Sequence, residues 1–443
     1  MKKQLWSTLM VTLIASLVLA ACAAPAPAAP ATEAPVAIEV PPTDEGSLAQ
    51  SPESITVAVV DGPSAEAIKT LAPQFTEQTG IKVDVVQFDY DSAHQKMLLS
   101  IQGKAGAYDV IQFDQPFFGA FAGSGAMEPL DAWVTASAAY DWSDIPDPIK
   151  QYGQLDGDTY GVDLSAEPYV IAYRPDLLEQ AGVAVPTTWD EYLASAKAIR
   201  ALGPDIYGHS TGVKPARNAW FWIQTLWSYG GDLWDENYTP TVTSEAAVLA
   251  AQLQKDLLSV APESTISNGG DATAELFGNS DIGLSIQYAG YYSTLVDPEK
   301  SKNAATTAFA GVPAGTVSAT ELQGWLIGIP SDSSKKEAGW QFIEWLLGKD
   351  TVINMIEAGA PAPGRTSLLS DPGLQATYPI FPAILAGAEV GKTFPTIPEY
   401  PAIQDAIAVR LGEILSDQST IEDGLAALDA DMTKILREAG LLQ

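Results

Sequence analysis

The motif that most resembles an enzyme site is Gly208-His209-Ser210-Thr211-Gly212, which matches the G-x-S-x-G turn that exposes a nucleophilic serine. In hydrolases with this turn, the base histidine follows the serine along the chain. The two histidines here, His94 and His209, both precede Ser210. The pattern therefore favours a polar loop after residues 206–207 over a catalytic serine.

Three other chemistries lack the residues that they need. The segment Gly391-Lys392-Thr393 imitates the end of a phosphate-binding loop, but Ala386 stands where the first glycine should be. Two distant histidines and one cysteine, Cys22, give no basis for a transition-metal site. With 55 acidic residues in the chain, a pair of carboxylates in a cleft says nothing about glycosidase activity. We predict no catalytic residue, no metal and no cofactor, and we do not expect an enzyme.

The tryptophans are more informative, because four of them fall within residues 220–234. Trp220, Ile223 and Trp227 share one face of a predicted helix, at spacings of three and four residues. Trp222 lies on the opposite side, since two residues advance a helix by ~200°. These side chains cannot all be buried in one layer, so one indole is expected to face a cavity. Packing between helix and sheet is the alternative for each of them.

A second aromatic cluster follows the predicted strand at residues 282–287. It contains Tyr288 and Tyr291, and Trp325 opens another predicted strand after a glycine. Flat rings at strand ends suit sugars, whose C–H faces stack on them, while the hydroxyls need carboxylates, amides or arginine as partners.

The elements that must position these residues alternate between strand and helix. Strands are predicted at 55–60, 81–88 and 109–113, with helices at 64–79 and 92–104 between them. This order predicts a mostly parallel sheet with helices on both faces. Ligands collect at the carboxyl ends of such strands, which makes candidates of Asp61, Asp89, Tyr90 and Asp114.

Further strands are predicted at 169–173, 282–287, 306–310 and 325–329. Three helix starts fit a capping box, in which side chain and backbone satisfy each other's free groups. The pairs are Thr188 with Glu191, Ser334 with Glu337, and Ser419 with Glu422.

Length and charge limit the class of protein. The 443 residues are about three times the common ~150 residues per domain, so two substantial domains are expected. The net charge of −32 would repel a phosphate backbone, which excludes nucleic acid as a partner.

Residues 1–21 have the pattern of a secretory signal, with two early lysines and an apolar run at 5–20. A membrane anchor is the alternative, but the run is shorter than the ~20 apolar residues that a bilayer core requires. Leu19-Ala20-Ala21-Cys22 resembles a bacterial lipobox, in which the cysteine becomes the lipidated first residue. Residues 22–54 then form a tether rich in Ala and Pro. We predict an extracytoplasmic protein anchored to the cell membrane by lipid on Cys22.

Across residues 55–443 the sequence resembles the solute-binding lipoproteins of carbohydrate ABC importers, similar in layout to maltose-binding and polyol-binding proteins. The resemblance rests on six ordered segments: FTEQTGIKVDVV, AYDVIQFDQPFFGAFAGSGAMEPLDAW, PYVIAYRPDLLEQAGVAVPTTWDEYLASAKAI, YGGDLWDE, ELQGWLIGIPSDSSKKEAGWQFIEWLLG and GAPAPGRTSLL.

The resemblance implies an α/β fold of the two-lobe, type II periplasmic-binding kind, with crossing strands, a ligand cleft and hinge closure. Lobe one would take residues 55–164 plus 306–349. Lobe two would take 165–305 plus 350–443. A permease would be the protein partner, and the chain is expected to act as a monomer.

The resemblance also carries ligand contacts onto single positions of this chain. Asp114 would accept a ligand hydroxyl, and Glu167 would lie at the hinge side of the cleft, although either carboxylate can instead lie on the surface. The aromatic contact falls on Trp220, with Trp222 as the alternative.

Three further contacts follow from the resemblance. Maltose-type proteins place a stacking tryptophan where this chain has Gly290, so Tyr288 or Tyr291 would substitute and a long maltodextrin is disfavoured. Trp325 and Arg365 correspond to ligand contacts of polyol and monosaccharide binders, with a core role and a salt bridge as their respective alternatives.

The favoured function is the capture of a sugar or polyol and its delivery to the permease. Two alternatives are kept: a secreted carbohydrate-active enzyme, and binding of a non-sugar solute such as a peptide or polyamine on the same fold.

Overall fold

The computed structural model describes residues 54–214 and 216–442. The predictions for the signal peptide, the lipidated Cys22 and the tether up to residue 53 lie outside the described residues. Within the described ranges, no helix combines the length and the apolar character needed to cross a bilayer.

The described residues contain strands that build one large mixed sheet and one small hairpin. The strands are β1 (Ser54–Val60), β2 (Lys82–Phe88), β3 (Val110–Asp114), β4 (Gln154–Leu155), β5 (Asp158–Thr159), β6 (Val162–Tyr173), β7 (Tyr207–Ser210), β8 (Ile282–Tyr288), β9 (Ala308–Gly311), β10 (Thr320–Gly328) and β11 (Gly391–Lys392). The order across the large sheet is β2-β1-β3-β10-β6-β8-β7, with β9 beside β6 and β11 beside β10.

The α-helices of the described residues are α1 (Pro63–Thr79), α2 (Tyr90–Gln102), α3 (Gln115–Gly123), α4 (Asp131–Ala136), α5 (Asp147–Tyr152), α6 (Pro175–Ala181), α7 (Trp189–Arg200), α8 (Arg217–Ser228), α9 (Glu245–Leu258), α10 (Gly270–Asn279), α11 (Tyr292–Val296), α12 (Lys336–Leu346), α13 (Lys349–Glu357), α14 (Thr366–Leu369), α15 (Pro372–Thr377), α16 (Phe381–Val390), α17 (Tyr400–Leu415) and α18 (Ile421–Glu438). Short 3-10 turns lie between some of them, at Trp142–Asp144, Glu263–Ser267, Ala289–Tyr291 and Ala304–Thr306.

The two long strands β6 and β10 connect the halves of the sheet. The first part of β6 pairs with β10, and its last part, from Tyr169 onward, pairs with β8 and β9. The last part of β10 pairs in turn with β3. All of these pairings are antiparallel, whereas β3, β1 and β2 are parallel to one another. The expected parallel order therefore holds in the first βαβαβ unit and is wrong at the centre of the sheet.

Apolar residues cover both faces of each half of the sheet. Successive side chains along a strand point to opposite faces, so each strand contributes to a buried cluster on either side. In β1, Ile55 and Val57 join one buried cluster, while Ala58 and Val60 join another on the opposite face. The second half has its own main cluster, to which α7, α8, α9, α17 and α18 contribute. Helix α13 packs against α1, and its Val352 belongs to the same buried cluster as Ile55 and Val57 of β1.

One of the three predicted capping boxes forms. The Thr188 side chain accepts from the Glu191 backbone N–H, and the Glu191 carboxylate accepts from the Thr188 backbone N–H. The box predicted at Ser334 is wrong, because α12 begins one residue later than it requires and its first turn has no side-chain cap. The box predicted at Ser419 is displaced, since Thr420 caps α18 through the Asp423 N–H.

Candidate functional site

One face of the sheet collects polar side chains where its two halves meet. The register places Trp325 of β10 directly opposite both Asp114 of β3 and Ser165 of β6. It also places Gln323 opposite Glu167. Opposite residues in antiparallel strands share a face, and so do alternate residues along a strand. We call these five residues the central site.

Asp114 lies at the carboxyl end of β3, where the parallel strands were expected to present ligand contacts. Its side chain is almost fully buried. The Tyr90 hydroxyl, from the first turn of α2, donates to Asp114 Oδ2 at 2.7 Å, and His94 Nε2 lies 3.0 Å from Oδ1. Asp89 caps the same helix through the Ser92 N–H. The start of α2 therefore fixes the carboxylate in one orientation.

Trp325 is half-buried among aromatic rings of the first half. The Tyr90 ring meets it edge-on at 6.1 Å, and the His94 ring lies parallel to it at 6.5 Å. His94 is itself stacked on Phe117 at 3.9 Å. Gly324, which precedes Trp325 in β10, has a φ of 156°. A Cβ at this position would lie 1.9 Å from the Ser165 carbonyl oxygen, so only glycine lets β10 and β6 approach each other here. The indole is held firmly while part of it stays accessible.

Glu167 occupies the middle of the central site. The Ser165 hydroxyl donates to its Oε1 at 2.8 Å. Desolvation raises the pKa of Glu167 to about 7, against the opposing effects of the Ser165 hydrogen bond and of Arg217. A Cβ at Gly290 would lie 2.1 Å from Glu167 Oε2. The absence of a side chain at position 290 thus leaves the space that the carboxylate uses.

The second half adds a cation and a group of rings. Arg217 opens α8, and its guanidinium lies 4.6 Å from the centre of the Trp220 ring and 5.1 Å from that of Tyr288. Tyr288 is stacked on Tyr169 at 4.1 Å. Arg217 also interacts electrostatically with Glu167. A small recess beside the guanidinium is lined by Tyr169, Thr211, Gly270, Gln287 and Tyr291, among others.

The arrangement can bind an uncharged polyhydroxylated molecule. Asp114 and Glu167 offer acceptors, Arg217 offers donors, and Trp325 offers an apolar surface within the same region. Tyr90, which is 41% exposed, borders both Asp114 and Trp325. The structure therefore brings together five of the predicted contacts from separate parts of the chain: Tyr90, Asp114, Glu167, Tyr288 and Trp325.

Trp220 lies beside this group rather than on its open face. Its indole Nε1 donates to Gln404 Oε1 at 2.6 Å, and its ring packs against Tyr288 and Phe394. It contributes by supporting the Arg217 guanidinium.

Two predicted contacts do not reach the site. Trp222 has no exposed surface, and its Nε1 donates to the Ala247 carbonyl, in a helix whose residues 218–228 are all buried. Arg365 is 1% exposed, and its guanidinium donates to backbone carbonyls of Tyr140 and Leu347. Both are corrected to structural roles. For Arg365 the salt-bridge alternative holds, with Asp144 at 3.4 Å, although inside the protein.

The serine motif has no catalytic geometry. Ser210 is buried at the end of β7, and its hydroxyl donates to Ser285 Oγ at 2.8 Å. His209 Nδ1 is 2.8 Å from the Tyr192 hydroxyl, and burial lowers the pKa of this histidine to about 3. Within the described ranges, no three His, Cys, Asp or Glu side chains are grouped as a metal site would need.

Sequence reasoning missed two charged residues of this region, Arg217 and Glu321. Arg217 stands immediately before the tryptophan cluster, and its position at a helix start facing those rings was an available signal. Glu321 is part of the segment ELQG and alternates with Gln323 and Trp325, so the period of a strand would have placed it on the same face.

Comparison with known proteins identifies a family and similar folds. Residues 61–353 match the family described as bacterial extracellular solute-binding protein. A probable amino-acid ABC transporter periplasmic-binding protein of Sinorhizobium fredii is 26% identical over 89% of this chain and 91% of its own length.

Two solved structures share the fold over most of this chain. The ABC transporter solute-binding protein of Agrobacterium radiobacter K84, in complex with ribitol, is 27% identical with a TM-score of 0.77, covering 86% of this chain and 98% of that one. The protein of Agrobacterium vitis S4, with bound D-mannitol, is 26% identical with a TM-score of 0.75, covering 88% and 99%.

Proposed function

Because the chain belongs to the bacterial extracellular solute-binding protein family, we propose that its central site captures a sugar or polyol for delivery to an ABC importer permease. The observation that carries this proposal is the meeting of Asp114, Glu167 and Trp325 on one face of the sheet. Two hydroxyl acceptors beside an indole match an alditol or a monosaccharide, which has hydroxyls along an apolar carbon chain. The ribitol and mannitol in the two Agrobacterium proteins support the same class of ligand.

The polyamine and peptide alternatives are less well supported, because the charged side chains near the central site include the Arg217 cation as well as carboxylates. A polyamine would need several carboxylates without a competing cation. Arg365 was expected to be the cleft arginine, but it is buried elsewhere. We propose that Arg217, which acts electrostatically on Glu167, supplies the cation of the site. No bond chemistry forms part of the proposal, since the Ser210 region offers no base.

An amino acid is the second candidate, favoured by the name of the Sinorhizobium relative. Arg217 could hold its carboxylate while Glu167 or Asp114 holds its ammonium group. Isothermal titration calorimetry with ribitol, D-mannitol, D-glucose and a set of amino acids separates the two. We expect heat from at least one polyol or sugar and none from the amino acids, and the reverse result would overturn the proposal.

We also propose that the protein lies outside the cytoplasm and is anchored to the cell membrane by lipid on Cys22. Detergent partitioning of the native protein against Cys22→Ser tests this, together with the mass of the mature N-terminus. A wild-type protein that stays in the aqueous phase without lipid mass would contradict the anchor.

The enzyme alternative is tested separately. Maltose is incubated with the protein and then analysed by mass spectrometry, and we expect the maltose to be recovered unchanged.

A further inference from the structure

Three buried polar side chains are linked toward the carboxyl ends of β7 and β8, and the proposed binding role does not use them. The Ser210 hydroxyl donates to Ser285 Oγ at 2.8 Å, and Gln287 Nε2 donates to the same oxygen at 2.8 Å. Ser210 and Ser285 have no exposed surface, and Gln287 is 2% exposed. Buried polar groups are costly unless they are hydrogen-bonded, so these bonds hold the three side chains in place.

The bonds of Ser285 determine which way the Gln287 amide faces. The Ser285 hydroxyl donates its proton to the Ser210 carbonyl oxygen at 3.1 Å, so Ser285 Oγ can only accept from other groups. An amide that approaches this oxygen must present its NH2 group, because two acceptors do not bond to each other. Gln287 therefore turns Nε2 toward Ser285 and Oε1 away from it.

Gln287 Oε1 opens to the recess beside Arg217. Gln287 lines this recess together with Arg217, Gly270 and Tyr291, among others. Its Oε1 accepts no hydrogen bond from a described residue, yet it is not one of the fully occluded polar atoms of those residues. The recess therefore offers a fixed acceptor, Gln287 Oε1, as well as the donors of the guanidinium.

The recess adjoins the central site through the end of β8 and the turn after it. Tyr288 and Tyr291 line the recess, while a Cβ at Gly290, between them, would lie 2.1 Å from Glu167 Oε2. The free volume of the recess is about 10 Å³. This is close to the ~10–15 Å³ that one water molecule needs, so a single oxygen-sized group of a ligand can enter.

A ligand hydroxyl satisfies both partners in the recess, whereas a carboxylate oxygen satisfies one. The hydroxyl accepts from the Arg217 guanidinium and donates its proton to Gln287 Oε1. A carboxylate has no proton to give at neutral pH, so Oε1 would stay buried without a donor, which is costly.

The charges around the recess do not reverse this preference. The Arg217 guanidinium alone would favour a carboxylate, but it already interacts with Glu167. The start of α10 at Gly270 also borders the recess, and Asp271 in its first turn offsets the positive end of this helix. A ligand carboxylate would thus meet two neighbouring carboxylates as well as one cation.

We propose that Gln287 is a specificity-determining residue, which Ser285 orients so that the recess accepts a terminal hydroxyl of a neutral sugar or polyol and rejects a carboxylate. This inference rests on the proposed function, since it assumes that the ligand of the central site reaches Arg217. It adds that the aldonate, in which a carboxylate replaces one terminal hydroxyl of the same carbon chain, is a poor ligand.

The test measures, by isothermal titration calorimetry, the affinity for an alditol and for its aldonate. The pairs are D-mannitol with D-mannonate, and ribitol with D-ribonate. We expect wild type to bind the alditol of at least one pair about tenfold or more tightly than the aldonate. Gln287→Met keeps the length of the side chain but removes the acceptor, and should reduce this ratio about fivefold or more by weakening the alditol.

Ser285→Ala tests the orientation of the amide. It keeps Gln287 but frees the amide to turn its NH2 group toward the recess, so the ratio should fall about threefold or more. Ser210→Ala removes a buried hydroxyl but leaves the bond between Gln287 and Ser285, and should keep the wild-type ratio while lowering the melting temperature. Gln252→Met makes the same exchange at an exposed position of α9 and should change neither quantity.

Three results would overturn the proposal while leaving the proposed function intact. They are tighter binding of the aldonate by wild type, an unchanged ratio in Gln287→Met, and an equal fall of the ratio in Ser210→Ala and Ser285→Ala. Heat from amino acids alone would overturn the proposed function and this inference together.

If no ligand binds, the proposed function fails, and the orientation of the amide is tested without ligand. The side-chain NH2 resonances of Gln287, assigned with Gln287→Met, report its hydrogen bond to Ser285. We expect slow exchange with solvent in wild type and in Ser210→Ala, and fast exchange in Ser285→Ala. Equal exchange in all three would show that Ser285 does not orient Gln287.

Discussion

At position 290, the lack of a side chain decides where a carboxylate can lie. A methyl group there would meet Glu167 Oε2. We expect Gly290→Ala to displace the Glu167 side chain and to weaken ligand binding about tenfold or more, since hydrogen bonds to charged groups contribute about 1.5–3 kcal/mol. Calorimetric titration of the polyol measures the effect.

Gly412 provides the matched control, because it lies in α17 with no atom within 4 Å of a Cβ. Gly412→Ala should leave affinity unchanged and raise the free energy of unfolding by about 0.8–1.0 kcal/mol. Unaltered affinity in Gly290→Ala would show that Glu167 does not touch the ligand.

Trp325 is expected to cover the apolar face of the ligand. Stacking that removes about 50 Å² of C–H surface from water contributes about 1.3 kcal/mol at ~25 cal/mol per Å². Trp325→Ala should therefore weaken binding roughly tenfold, as measured by calorimetry. Its core alternative predicts instead a loss of about 3–5 kcal/mol in stability. A variant that melts much earlier yet binds with wild-type affinity would assign Trp325 to the core.

Among the site residues, those next to a recognisable motif could be predicted, and those without one could not. Asp114 ends a predicted apolar strand, and Glu167 falls in a segment that carries the family resemblance, just before the predicted strand at 169–173. Arg365 and Trp222 have suitable chemistry for a ligand but are buried by packing partners from distant segments, which no local pattern reveals. Glu321 was missed because the local sequence does not distinguish a buried glutamate from a solvated one.

At the level of elements, the capping boxes offer a direct comparison of two similar sequences. Thr188→Ala removes the cap of α7 and should lower the free energy of unfolding by about 1 kcal/mol. Ser334→Ala should have almost no effect, because that serine is exposed and caps nothing. Urea denaturation of both variants measures the difference, and equal losses would contradict the observed helix starts.

The predicted strands were located correctly, but several were predicted too short, and the expected polar loop after residues 206–207 is wrong because residues 207–210 form β7. The expected strands at 169–173 and 325–329 are parts of β6 and β10, which begin well before them. Their missing portions carry Ser165, Glu167, Glu321 and Gln323, polar residues that break the apolar pattern on which the prediction depends. The polar residues of the candidate site are therefore the reason why the full length of β6 and β10 was not predicted.

Over the whole molecule, the buried acids make stability depend on pH. Desolvation raises the pKa of Asp163 from 3.8 to about 7, although the Gly364 N–H donates to it at 2.6 Å. The folded state thus holds this proton more tightly than the unfolded state. The resulting stabilisation is complete below the unfolded value of 3.8 and is lost as pH rises to about 7.

Asp163→Asn keeps an oxygen for the Gly364 N–H but cannot ionise. Relative to wild type, we expect its free energy of unfolding to improve between pH 4 and pH 7, by an amount on the order of a few kcal/mol. The exposed Asp158→Asn should show no such trend. Chemical denaturation at several pH values measures both, and parallel curves for Asp163→Asn and wild type would contradict the assignment.

Ligand binding is also expected to change the overall shape. Asp114 lies in the first half of the sheet and Arg217 opens α8 beside the second half, so a ligand that contacts both is expected to favour a closed arrangement. Small-angle scattering should show a smaller radius of gyration with the polyol than with a sugar that does not bind. Equal radii at saturation would mean that no hinge closure accompanies binding.

The prediction of family and of a two-lobe α/β fold is confirmed, because six ordered segments specify a layout even where each is weak. The lobe boundaries stay a prediction. They depend on where the chain crosses between halves, and a sequence read element by element does not contain that information.

The position of β10 also governs when this protein can finish folding during its synthesis. The strands β1, β2 and β3 are made early, yet β3 borders β10, which is made long after them. A ribosome-bound chain that ends before Thr320 leaves neighbouring edges of β3 and β6 unpaired, and such edges recruit other chains. Truncated translation products should therefore aggregate or be degraded rather than persist as a functional half.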